Sequence, residues 1–113
     1  MPITKLGSGS APNSQGAATV VAGVNTVPAS KQWEAKVIVF NTGEAARTVT
    51  CGFTDSGSAL AVGEYLMNAE SIASKERREF GIRGYAAGFV FRMGQGTADA
   101  DVQWEIHGIE SDV

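Results

Sequence analysis

The stretch VPASKQWEAKVIVFNTGEAARTVTCGF, Val27 to Phe53, decides the fold. From Gln32 to Phe40, Trp33, Ala35, Val37 and Val39 alternate with Gln32, Glu34 and Lys36. That period of two is a strand with one face turned to a core. Ile38 and Phe40 then make the second face apolar as well, so that face requires a cover. Asn41-Thr42-Gly43-Glu44 supplies turn chemistry, with Gly43 as the residue able to take positive φ, and Arg47 to Thr54 returns as the next strand. Within it Cys51 shares a face with Val49 and Phe53 and reads as a small core residue. Upstream, Thr19 to Val27 is a strand that stops at Pro28, which cannot donate to a ladder, and Pro28-Ala29-Ser30-Lys31 turns the chain.

The same pattern continues outward. In Glu64 to Ile72, Tyr65-Leu66-Met67 followed by Ala69-Glu70 could start a helix, yet Leu66 and Ile72 have the spacing of one strand face, and the segment reads as a strand. Arg78, Phe80 and Ile82 share a face opposite Arg77, Glu79 and Gly81, and Gly84 ends that run. Ala87 to Met93 sets Phe89 and Phe91 against Val90, and Gly94-Gln95-Gly96 is a turn rather than a phosphate loop, since neither Rossmann nor P-loop spacing follows it. Val102, Trp104 and Ile106 alternate with Gln103, Glu105 and His107, and the tail from Glu110 to Val113 is polar. Short alternating runs punctuated by 14 glycines predict an all-β chain. The expected fold is a single antiparallel β-sandwich of about seven to eight short strands, Greek-key or jelly-roll-like, in one domain spanning 17–113. Residues 1–16 are expected as a flexible arm, because Gly7 to Gly16 holds too little apolar surface to offset the entropy of ordering it. Ile3 and Leu6 would be the adhesive tip of that arm.

The inventory of reactive groups excludes most chemistry. A net charge of −3 gives no basic footprint for nucleic acid. No apolar run is long enough to span a bilayer, and the N-terminus lacks a signal-peptide core. One cysteine makes no intrachain disulfide, a pattern that leans intracellular. His107 is the single histidine and falls with Gln103 and Glu105 on a solvent-side set, so neither a catalytic triad nor a four-ligand zinc site is expected. Asp99 and Asp101 read as a polar turn, not as a calcium loop. No metal, cofactor or enzymatic activity is expected. The aromatic residues Trp33, Phe40, Phe53, Phe80, Phe89, Phe91 and Trp104 are expected in the core; exposed Trp33 or Trp104 beside Asp99 and Asp101 would instead mark a glycan site. Lys75 to Glu79 is the densest charge run, a salt-bridged strand edge able to meet a complementary subunit while resisting unwanted pairing.

One resemblance takes the reading further. The order Thr26-Val27-Pro28-Ala29-Ser30-Lys31, Val37-Ile38-Val39-Phe40-Asn41-Thr42-Gly43, Arg47-Thr48-Val49, Glu64-Tyr65, Glu76-Arg77 and His107-Gly108-Ile109-Glu110 resembles small β-sandwich virion proteins of tailed bacteriophages, over about Thr19 to Glu110. The chain departs from them in its Gly/Ser arm and in its Lys75–Glu79 cluster. The resemblance implies a capsid decoration or cement protein, located on the capsid surface and assembled in the host cytoplasm. Its partners would be the major capsid protein and further copies of itself, a trimer being one such homo-oligomer. The contacting residues would be Ile3, Lys5 and Leu6 of the arm and Lys75, Glu76, Arg77, Arg78 and Glu79 of the charge cluster. A neck, tail or baseplate component, or a carbohydrate-binding host-adhesion module, is the alternative.

Overall fold

In the computed structural model, which describes residues 3–13, 22–55, 60, 63–97 and 99–113, the alternation around Trp33 becomes the strand Lys31–Asn41, the third of nine among the described residues. In chain order these are β1 (Thr4–Ser10), β2 (Ala22–Thr26), β3 (Lys31–Asn41), β4 (Arg47–Thr54), β5 (Tyr65–Ile72), β6 (Arg77–Glu79), β7 (Arg83–Tyr85), β8 (Val90–Gln95) and β9 (Val102–Asp112). The first sheet runs β1-β9-β3-β6, with β7 also paired to β3; the second runs β2-β8-β4-β5. All pairs are antiparallel. Strands one, nine, three and six facing two, eight, four and five is the interleaving of a jelly roll. β6 and β7 fill one strand position in two pieces: β6 pairs with Ile38–Phe40 and β7 with Trp33–Ala35. Counted that way, the eight positions agree with the expected sandwich.

The inward set of β3 and β9, namely Trp33, Ala35, Val37, Val39, Val102, Trp104 and Ile106, meets Val49, Cys51, Phe53, Met67, Phe91 and Met93 of the second sheet in one core. The seam is aromatic: Phe53 touches Trp33 edge-on and Phe91 at a tilt, and Phe91 packs on Trp104. Fully burying each such side chain is worth about 1.5–3 kcal/mol. Cys51 is buried as expected, and that burial pushes its thiol up to about 12.

Several local expectations give way to tertiary context. Thr4–Ser10, expected in the arm, is β1 and pairs with β9 from Thr4 opposite Gly108 to Ser10 opposite Gln103. Its glycines serve close approach rather than mobility: a Cβ on Gly7 or Gly9 would lie 3.2–3.3 Å from the Trp104 indole. Residues 1–2 and 14–16 of the expected arm lie outside the described residues, as do Thr19 to Val21 of the strand expected over Thr19 to Val27. Gly43 is not at positive φ; it is buried because Asp101 presses on it, and a Cβ there would lie 2.5 Å from the Asp101 Cγ. The turn is instead organised by buried Asn41, whose Oδ1 accepts from Gly43 N and whose Nδ2 donates to Ala45 O and Ile72 O. Gly94 and Gln95, expected in a turn, still belong to β8, where the Gln95 Nε2 donates to Ala11 O and Asp99 O. In β5 the register shifts opposite Val49–Gly52 and Ala69 sits at φ 52°. That irregularity buries Met67 with Ile72 and leaves Leu66 half-buried, so the expected Leu66–Ile72 face does not form. The polar tail continues in β9 to Asp112.

Candidate functional site

The outer face of the first sheet carries the candidate site, and alternation selects its residues. Glu34, Lys36, Ile38 and Phe40 of β3 point away from the core, as do Glu105, His107 and Ile109 of β9. Ile38 is only 3% exposed yet lies outside the core cluster. Its direct neighbours across the ladders are Glu79 on one side and Glu105 on the other, so the cover its sequence demanded is a lattice of long charged side chains. Lys36 Nζ lies 3.2 Å from Glu79 Oε1 and Arg77 Nε 3.3 Å from Glu79 Oε2. His107 Nε2 lies 2.7 Å from Glu105 Oε1. The hydrogen bond and charge of Lys36, with Arg77 adding, hold the Glu79 carboxyl below its usual range. A hydrogen bond from His107 does the same for Glu105, helped by the charges of Lys5 and Arg77.

At the other end of this face the lattice stops and apolar surface is bare. Ile3 is 62% and Ile82 64% exposed. With Ile109 and Gly108 they line a hollow of about 100 Å³, bordered by Glu34, Lys36 and His107. Ile82 was expected beside Phe80. Phe80 does pack on the core, but its N–H bonds to Val37 O as the chain leaves the ladder between β6 and β7, the alternation breaks, and Ile82 faces outward.

Of the eight expected contact residues, the structure gathers Ile3, Lys5, Arg77 and Glu79 on this face. The others go elsewhere. Leu6, at the register shift of β1, packs against the core. Lys75 sits in the turn before β6 at φ 63°, where its ammonium bonds Thr42 O and pairs with Glu44. Arg78 turns to the β5 side of the edge: its guanidinium bonds Glu76 at 2.8 Å, Glu70 at 3.1 Å and Ser71 O at 2.7 Å. The Arg78 hydrogen bond in turn holds Glu76 low. Ile82, His107 and Ile109 complete the face and were not singled out as contacts; the lone signal for Ile82 was the pair of glycines, Gly81 and Gly84, that flank Ile82-Arg83.

The other chemistry-bearing residues have structural partners. Asp99 and Asp101 receive Arg47 Nη2 at 2.8 and 3.1 Å, as the polar turn before β9. The Asp101 N–H and then Arg47 hold Asp99 low. Trp33 and Trp104 are buried, as expected of core residues, so the alternative of an exposed aromatic platform beside Asp99 and Asp101 does not form. Among the described residues, no group of three or more His, Cys, Asp or Glu is placed to hold a metal ion, and no helix is long and apolar enough to cross a membrane. No protein-family model, curated protein or solved structure matches the chain.

Proposed function

We propose that the protein is a non-enzymatic structural component of a tailed-phage particle, a cement or decoration protein that lays the outer face of its first sheet on the shell at junctions between major capsid subunits. The observation that carries this is the bare isoleucine hollow, Ile3, Ile82 and Ile109, beside a lattice of ion pairs. An apolar centre with a charged rim is the anatomy of a protein interface. The sequence resemblance to phage virion proteins names the occupant. A jelly roll is a fold of viral capsid domains, among others, so the architecture is compatible with that reading by analogy alone. Binding would stabilise the shell by mass action, since the added free energy exists only where neighbouring shell subunits are correctly placed, and self-association would multiply it.

The test is co-sedimentation of the purified chain with shells that lack it. Ile82→Asp places a charge at the centre of the hollow on a residue that packs against nothing in the core. The expected result is binding weakened about tenfold or more. Unchanged binding by Ile82→Asp would overturn this docking face.

A further inference from the structure

The same split of β6 from β7 leaves a second feature, on the other side of β7. Alternation along β7 puts Arg83 and Tyr85 on the inner side of the first sheet, opposite Ala35 and Trp33, while Gly84 pairs with Glu34 on the outer side. At this edge the sheets touch through Phe53 and Tyr85, and a cleft of about 160 Å³ opens beside that contact. Phe53, Leu66, Tyr85 and Phe89 line it, with Glu64 and Arg83 at its rim. The Phe53 and Tyr85 rings stack with centroids 3.8 Å apart and 19° between planes, and Phe89 stands 6.2 Å from Tyr85. The register shift of β5 between Cys51 and Gly52 sets Leu66 in the wall; irregularities of this kind re-aim side chains beside sites.

Size and charge restrict what the cleft takes. A cavity of roughly 150 Å³ accommodates one benzene-sized ring, so one six-membered ring fits and a drug-sized ligand does not. Aromatic walls with polar groups at the rim suit a ring that has apolar C–H faces and a polar edge, which describes a pyranose. Arg83 selects among pyranoses. It has no hydrogen-bond or ion-pair partner among the described residues, whereas Arg47, Arg77 and Arg78 all hold carboxylates. A guanidinium presented at the mouth of a ring-sized cleft fits a carboxylate in bidentate geometry. We propose that this cleft binds a single acidic sugar, a pyranose ring seated on Tyr85 and Phe89 with its carboxylate on Arg83. The site is separate from the docking face and stands whether or not the protein attaches to a shell.

The experiment is an amide chemical-shift titration of the full chain with methyl glucuronide, repeated with methyl glucoside, which differs by the carboxylate. The expected result is saturable shifts centred on Gly63, Gly84 and Tyr85, with the glucuronide bound about tenfold more tightly than the glucoside. Arg83→Ala, an exposed change, is expected to remove that preference. The absence of saturable shifts at these amides, or a preference for the glucuronide that survives Arg83→Ala, would overturn the proposal.

Discussion

The two long edges of the sandwich are closed by opposite means. At the β1–β2 edge the sheets are held by close packing: Asn25 of β2 sits over Gly7 and its Nδ2 donates to Leu6 O at 3.3 Å, while Trp104, seated against Gly7 and Gly9 within its own sheet, packs on Phe91 of the other, and its indole N–H has no hydrogen-bond partner among the described residues. At the β5–β6 edge the sheets are tied by charge: Arg78 reaches Glu70, Glu76 and the Ser71 carbonyl. Beyond that tie, at β7, a single ring contact between Tyr85 and Phe53 joins the sheets and a cleft opens beside it. Packing closes an edge along its length, while an ion cluster closes one point and leaves room beside it for a cleft.

Three substitutions test that contrast. Trp104→Ala removes the indole that both glycines press on and should cost about 3–5 kcal/mol, read as a lower urea midpoint. Trypsin should then cut after Lys5 in the native buffer, because β1 loses its seat. A midpoint unchanged within error would show that packing on Trp104 does not close this edge. Gly9→Val puts a branched side chain where a Cβ already lies 3.3 Å from the indole, and is expected to cost about 1–3 kcal/mol by overpacking. A neutral or stabilising outcome would return the glycine to a role in chain freedom.

Arg78→Met is the smallest of the three, at about 1 kcal/mol or less near neutral pH, because exposed ion pairs contribute little. Its pH dependence carries the information. Arg78 lowers the folded Glu76 carboxyl from its ordinary value of 4.5, so the contribution is present above that value and is lost as pH falls through the lower folded value. The gap between wild type and Arg78→Met in urea midpoint should therefore close as the solution is acidified below pH 4.5, and should shrink in high salt. A gap that persists in acid would mean that the Arg78 stem, not its charge, holds the edge.

The fold was legible in the sequence wherever a strand is buried on one side and regular. The alternation of Trp33 to Val39 and of Val102 to Ile106, and the return over Arg47 to Thr54, appear in the structure at those positions. What was not legible depends on partners distant in the chain. Gly7 and Gly9 look like linker residues until Trp104, far along the sequence, is placed on them. Gly43 looks like a positive-φ turn residue until Asp101 fills the space above it. The bare face was half legible: Ile3, Lys5, Arg77 and Glu79 were singled out, but Ile82 carries a core-like pattern that fails only because the chain leaves the ladder after Glu79. The cleft at Tyr85 left no local signal, since its walls come from β4, β5 and β7 and from the segment before β8.

The most direct test of the proposed role is to locate the chain in assembled particles by cryo-electron microscopy, with its copy number from quantitative mass spectrometry. Many copies are expected on the outside of the shell, seated at junctions between capsid subunits with Ile82 and Ile109 against the shell surface. Copies confined to the portal, neck or tail, a shell-bound copy with that face turned to solvent, or absence from the particle would contradict it.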